Sequence, residues 1–326
     1  MERDFKKIIV ARTDRIGDVV LSLPVFASLK KCLPGVELVA MVRKETSDIV
    51  RLFHAVDRIL LYQPDDRISS IAGKFRDEAA DVILALYPRF RFVAAAALAG
   101  IPIRVGTAFR WYSFLFNKKV REHRKDSIKH EAEYNISLAA TIGCGQKIMD
   151  IDITPEAGSL EKVTDFLSKR EIKKFIMVHP GSGGSARAWP ESKFRDLVKE
   201  ISGDLDIDVL VTGTEPERGM CNRIASGNPR AIDVAGQFSL TEFIALLSRA
   251  DIFISNSTGP IHLSAAVGTP VVGIYPNNKP MSPGRWAPLT ERKIILTPKD
   301  GSDDVASIPA TDVVRSILEL TSVRAK

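Results

Sequence analysis

Four loops in this 326-residue chain hold residue types that can do chemistry, and each directly follows an apolar run. The first is Thr13-Asp14-Arg15-Ile16-Gly17-Asp18. Gly17 permits a tight turn and close approach of a ligand. Asp18 opens a helical stretch, where its carboxylate can act as a general base or only cap backbone N–H groups. The second loop is Pro180-Gly181-Ser182-Gly183-Gly184-Ser185-Ala186-Arg187, with Trp189-Pro190 starting the next helix. Its glycines and serines can wrap N–H groups around an anion, and Arg187 adds a planar cation suited to phosphate. A plain surface turn is the alternative. In the third, Asn256-Ser257-Thr258-Gly259-Pro260-Ile261-His262, Ser257 or Thr258 can cap a helix and Pro260 suits its first turn. A helix N-terminus there favours a phosphate. His262 lies about one turn in and, taken singly, is more often a structural histidine. The second and third loops together suit a pyrophosphate-sized ligand. The fourth, Thr212-Gly213-Thr214-Glu215-Pro216-Glu217, offers acids that either accept ribose hydroxyl hydrogen bonds or favour a solvated helix start.

Other chemistries lack their signatures. No His, Cys, Asp or Glu cluster has metal-ligand spacing. No GxSxG elbow occurs, the Thr13–Asp18 loop lacks GxGxxG, and no GK[ST] follows the glycine-rich loop.

The elements that must position these loops alternate between strand and helix patterns. Strands are expected at Lys7–Arg12, Val36–Met41, Arg58–Leu61 and Asp81–Leu86, with a helix at Asp18–Leu33. The pattern weakens between Arg104 and Tyr134, and Asp150–Ser159 reads as a linker. A second series follows, with strands at Lys174–His179, Asp208–Thr212, Asp251–Ser255 and Pro270–Ile274. Helices are expected at Leu240–Arg249 and Asp312–Leu320. Short strands bracketing helices indicate βαβ units and parallel sheets. Two doubly wound α/β domains, 1–155 and 156–326, would leave a cleft between them, the closing helix being a candidate to return to the first domain. Ligands of such sheets bind at the carboxyl ends of strands.

Composition agrees with a folded α/β protein. The chain is 45% hydrophobic and 26% charged, with 46 Lys+Arg against 40 Asp+Glu. That combination excludes disorder. Cys32, Cys144 and Cys221 are widely separated and read as three reduced, mostly buried thiols. The apolar run Ile8–Ala11 is too short for a signal peptide, and no run approaches a membrane span. A cytoplasmic protein is expected, with attachment to a membrane surface open.

The loops, in this order, resemble the heptosyltransferases of lipopolysaccharide core synthesis, glycosyltransferase family nine. The resemblance rests on Arg15-Ile16-Gly17-Asp18 followed by Leu23-Pro24, and on His179-Pro180-Gly181 leading to Trp189-Pro190. Val211-Thr212-Gly213 and Ser255 through His262 complete the set. It implies a GT-B fold, with two Rossmann-like domains and a central cleft, the first domain taking the acceptor and the second the sugar nucleotide. It implies an inverting transfer of heptose from an ADP-activated donor to the inner core on lipid A. Asp18 matches the family's catalytic aspartate, and Arg187 a basic residue, usually Lys, near the donor phosphates. Ser182 and Gly183 hold phosphate-loop positions. Glu217 matches a ribose-binding acid, and Phe238 a position whose backbone meets adenine. Thr258, Gly259 and His262 match the donor-binding helix start. Ser257 stands where the family often has an Asp that contacts the sugar, so another nucleotide sugar is the alternative donor. A non-catalytic glycolipid- or nucleotide-binding homologue is the alternative from outside enzymology. No cofactor is implied beyond the ADP-sugar substrate.

The chain's formal charge of +6 has one address. Between Arg104 and His130 stand Arg104, Arg110, Lys118, Lys119, Arg121, Arg124, Lys125 and Lys129 against Glu122 and Asp126. The rest of the chain is neutral by count. Phe109, Trp111, Tyr112, Phe114, Leu115 and Phe116 are interleaved. Cations beside aromatics suit an anionic lipid surface or a phosphorylated glycolipid. We therefore take Arg15, Arg110, Lys118, Lys119, Arg121 and Arg124 as acceptor- or membrane-facing candidates. A solvated basic face over core aromatics is the alternative. No recognised nucleic-acid module accompanies the patch, so nucleic acid is not expected as a partner.

Overall fold

The computed structural model describes residues 5–184, 188–205 and 207–322, and Arg187 lies outside them. The chain divides into two compact units, Met1–Ile153 and Thr154–Lys326. The expected division, after residue 155, falls just beyond this boundary.

Each unit is built on one six-stranded parallel sheet. The first has β1 (Lys7–Ala11), β2 (Glu37–Val42), β3 (Arg58–Leu61), β4 (Val82–Ala85), β5 (Ile103–Thr107) and β6 (Lys118–Val120), in the order β3-β2-β1-β4-β5-β6. The second has β7 (Phe175–His179), β8 (Asp208–Val211), β9 (Ala231–Asp233), β10 (Ile252–Asn256), β11 (Val271–Ile274) and β12 (Lys293–Leu296), in the order β12-β11-β10-β7-β8-β9. These are the same doubly wound order. Helices cover both faces of such a sheet, so its central strands read as unbroken apolar runs. β4 (VILA) and β7 (FIMVH) are buried along their whole length. Register locks the cores: Ile8 sits between Leu38 and Val82, and Ile254 between Val178 and Val272.

The structure refines several boundaries. The stretch expected as one helix is two, Ile16–Val20 and Leu23–Cys32, with Pro24 in the first turn of the second. The expected linker already turns helical at Ala157. The weak region supplies β5 and β6. The closing helix, Ala310–Ser322, packs within the second unit, against the helix Glu191–Asp204 and against β12.

The expectation of three reduced, buried thiols is corrected. Cys32 and Cys144 form a disulfide, with Cα atoms 5.6 Å apart, and only Cys221 is free. Cys32 is exposed. The helices Leu23–Cys32 and Glu131–Ala140 pack together, which brings Cys32 beside the turn after the second helix. A sequence separation of 112 residues conceals that proximity. Burial pushes the Cys221 thiol up to about 12, so it stays protonated.

Candidate active site

In the first unit, chain connections leave β1 and β4 in opposite directions, and ligands bind at such a switch point. β1 ends at Ala11, and the next residue, Arg12, is an arginine buried to 3% exposure. Its Nε donates to Asp14 Oδ1 at 2.7 Å, and its Nη1 donates to Glu131 Oε1 and Asn135 Oδ1, both at 3.1 Å. Its Nη2 donates to Asp18 Oδ1. From the loop after β4, the Tyr87 ring lies 5.8 Å from the guanidinium, and Arg89 lies 4.6 Å from the same ring.

Asp18 is in the first turn of the helix Ile16–Val20, but it does not cap it. Arg15 occupies the cap position, exposed, and the Asp18 carboxylate turns to Arg12 instead. Gly17 lies inside that helix with an ordinary negative φ, so it supplies close packing, being buried, rather than a special turn. Burial pushes the Asp18 carboxyl up to about 6, and Asp14 and Glu131 push the same way against the pull of Arg12. A carboxylate of this kind is ionised at neutral pH yet basic enough to take a proton. The buried guanidinium itself is held firmly charged by Asp14, Asp18 and Glu131, which overcome its burial.

Arg12, Glu131 and Asn135 were not among the sequence candidates. The only local signal was a charged residue closing an apolar strand, and Glu131 is 119 residues further on.

In the second unit, loops after β10, β7, β8 and β9 emerge side by side from adjacent strands. Buried Asn256, the last residue of β10, spans the glycine-rich loop. Its Nδ2 donates to Pro180 O at 2.9 Å and its Oδ1 accepts from Trp189 N at 2.9 Å. The two ends of the loop are thus pinned by one amide. Within it Ser182 is half-buried, and Gly183 and Gly184 are exposed with φ of 50° and 70°. That backbone is one that L side chains rarely adopt.

Glu217 ends a short turn after β8, where Thr214 N–H and Oγ1 both donate to its Oε2 at 2.8 Å. Burial raises its carboxyl, but hydrogen bonds from Thr214 and the Gly183 N–H outweigh this and hold it below the usual carboxylate range. A Cβ on Gly181 would lie 2.2 Å from Glu217 Oε1, so glycine is what lets the loop after β7 close on this acid. His179 is buried against Thr212, with Nδ1 3.0 Å from Oγ1, and burial lowers its pKa to about 4, leaving it neutral.

Thr258 is the cap residue of the helix Gly259–Ala266, but its hydroxyl pairs with Ser255 Oγ at 3.0 Å rather than with the helix. Pro260 sits in the first turn and His262 is buried one turn along. Ser257 is half-buried near Tyr275, whose hydroxyl donates to Trp286 O at 2.9 Å. Phe238 follows β9, half-buried, edge-on to Phe166 with ring centroids 5.0 Å apart.

The basic candidates separate into two kinds. Arg110, Lys119 and Arg121 are exposed, and Lys118 is half-buried beside Lys119 on the edge strand β6. Arg124 instead turns inward: it pairs with Glu131 and donates to Asn135 Oδ1 at 3.2 Å. It therefore joins the cluster around Arg12.

The whole chain is similar to proteins of one family. The model of "Glycosyltransferase family 9 (heptosyltransferase)" matches residues 68–305, more than two thirds of the sequence. A Haemophilus influenzae protein named "Putative glycosyltransferase" is 27% identical, over 97% of this chain and 96% of its own. The family 9 glycosyl transferase of Veillonella parvula superposes with a TM-score of 0.86 at 20% identity, covering 98% of each chain. The Escherichia coli ADP-heptose LPS heptosyltransferase II superposes with a TM-score of 0.82 at 18% identity, over 98% of this chain and 100% of that one. These likenesses give the two Rossmann-like domains of the GT-B fold. The chain belongs to glycosyltransferase family 9, the heptosyltransferase family of lipopolysaccharide core synthesis, and is a glycosyltransferase.

Proposed function

We propose that the chain moves a heptose from an ADP-activated donor to the lipid A–inner core acceptor of lipopolysaccharide, with inversion at the anomeric carbon. The observation that carries this reading is Asp18, a largely buried carboxylate raised to about 6 at the carboxyl end of β1. Asp18 takes the proton of an acceptor hydroxyl as that oxygen forms its bond to the anomeric carbon. The bond from that carbon to the diphosphate breaks on the opposite face, and ADP leaves with the electron pair. Backbone N–H groups of Ser182–Gly184, the N-terminus of the helix Gly259–Ala266 and Arg187 meet its growing charge. In this reading no metal ion is required. Glu217 and Phe238 serve the adenosine. Support for the donor comes from the heptosyltransferase II likeness, whose name carries ADP-heptose.

Mass spectrometry of the purified chain with ADP-heptose and a deacylated inner-core acceptor should show a product heavier by one heptosyl group, and turnover should survive EDTA. Asp18→Asn should cost about 10²-fold or more in turnover while sparing ADP binding by calorimetry. Near-normal turnover in that variant would remove Asp18 from catalysis. Ser257 favours a second reading, because it puts a small neutral hydroxyl where the family often has an Asp that contacts the sugar. Product from a UDP- or GDP-sugar, and none from ADP-heptose, would move the donor assignment there.

The same proposal puts the chain on the cytoplasmic face of the inner membrane, where its acceptor is anchored and where the Cys32–Cys144 bridge, exposed at Cys32, stands open to reduction. Supporting this, Trp111 and Phe114 are 73% and 70% exposed within the basic segment. Among the described residues, no helix is long and apolar enough to cross a membrane.

A further inference from the structure

We propose that Arg12 is a positioning residue for Asp18, and that Glu131, Asn135 and Arg124 form the frame that fixes Arg12. The inference rests on the reading that Asp18 is the base. Arginine offers five N–H donors in one rigid plane. Three nitrogens of Arg12 are engaged by four different side chains, so the plane cannot turn without breaking several bonds at once. Behind it, Glu131 is 1% exposed and accepts from both Arg12 and Arg124. Asn135 Oδ1 also accepts from both arginines, while its Nδ2 donates to Leu21 O at 3.1 Å, tying the frame to the segment that carries Asp18.

Charge counts decide what this frame does to the carboxylate. Arg12 and Arg124 face Asp14, Asp18 and Glu131, one more acid than cations. Protonating Asp18 neutralises the cluster, and the low dielectric of a buried site strengthens that bias. Further charges enter from neighbouring elements. Arg43 donates to Thr13 O at 2.8 Å from beyond β2, and Arg89 stands behind the Tyr87 ring. Among the described residues, neither forms an ion pair with Asp18, so the frame residues dominate. Removing an acid from the frame must make Asp18 more acidic, and removing a cation must make it less so.

The test is ¹³C-carboxyl NMR titration of Asp18 in the donor-free protein, paired with the pH profile of kcat/KM. Glu131→Gln keeps the shape and should move the Asp18 titration and the acid limb down together, by roughly one pH unit. Arg124→Gln, at the open end of the frame, should move both up. Arg12→Lys keeps the charge and loses the fork, so its titration should stay near wild type while kcat falls about 10–100-fold. Thermal melts identify any variant that fails to fold, and Glu131→Gln and Arg124→Gln each stand alone as tests. Unchanged titrations in folded Glu131→Gln and Arg124→Gln would overturn the proposal. So would an Arg124→Gln variant altered only in acceptor KM, which would return Arg124 to acceptor binding. If the wild type transferred no heptose, the donor assignment would fail, while the titrations would still report on the frame.

Discussion

Asp18 bears opposite consequences for stability and for activity. Its folded-state pKa is raised from 3.8 to about 6, chiefly by burial. The charged form is therefore the disfavoured one in the folded chain. Its contribution to stability is fully present below pH 4 and is lost as pH rises towards 6, at a cost on the order of 3 kcal/mol. In the proposed mechanism Asp18 is the base and must be ionised, so activity runs the other way. kcat/KM should fall about tenfold per unit below pH 6. Asp18→Asn should thus melt at a higher temperature than wild type at pH 8, with the advantage vanishing near pH 4. Melting curves across that range check the sign, and a variant less stable at pH 8 would show that the bond to Arg12 outweighs burial. At this scale Asp18 was singled out by the family resemblance of its loop, since the loop alone suited a capping role equally, and its supporting residues were not legible. Glu131 and Asn135 meet Arg12 only because the sheet and the helix Glu131–Ala140 fold together. Arg124 looked like one more exposed cation in a basic run, and only the fold turns it inward.

The central elements were legible because strands buried on both faces must be continuously apolar. β5, β6, β9 and β12 escaped notice, β6 and β9 for the converse reason. β6 is Lys118-Lys119-Val120 and β9 is Ala231-Ile232-Asp233, both at sheet edges. Edge strands are kept short and charged, so they carry little apolar signal. The loops between elements make two further predictions. Gly181→Ala would force a methyl against the Glu217 carboxylate, and under the proposed ribose role of that acid the loss of one good hydrogen bond should weaken ADP binding about tenfold by calorimetry. Unchanged affinity would separate Glu217 from the nucleotide. The second concerns Cys32–Cys144, which closes a loop of 112 residues and staples the helix Leu23–Cys32 to the turn after the helix Glu131–Ala140. A cross-link over that span is worth about 4–5 kcal/mol in the chain-entropy picture. Thiol counting in denaturant should find one free thiol without reductant and three with it, and reduction should lower the melting temperature by several degrees. Three free thiols without reductant would show the bridge to be open.

Across the whole molecule, the net charge has one source, but the fold spends part of it internally. Arg104 donates to Leu115 O and Ile101 O, at 2.8 and 2.7 Å. Lys129 pairs with Glu122 at 2.6 Å, and Arg124 with Glu131. Arg110, Lys119, Arg121 and Lys125 remain at the surface. The aromatics divide in the same way. Tyr112 and Phe116 are buried and hold the segment to the core, while Trp111 packs on Phe90 with centroids 4.9 Å apart and still presents most of its surface. An exposed indole beside free cations suits the interface of an anionic bilayer, where each Lys or Arg is worth about 1 kcal/mol. Sedimentation with phosphatidylglycerol-containing vesicles should therefore show binding at low salt that weakens as salt rises, and little with neutral vesicles. Reversing charge at Lys119 and Arg121 should cut that binding by at least about tenfold. Trp111→Ala with Phe114→Ala should weaken it while leaving the salt dependence intact, since those rings act by burial rather than by charge. Equal binding to neutral vesicles, or none to anionic ones, would leave this face as a solvated basic surface and send the search for the acceptor back to the Asp18 loop.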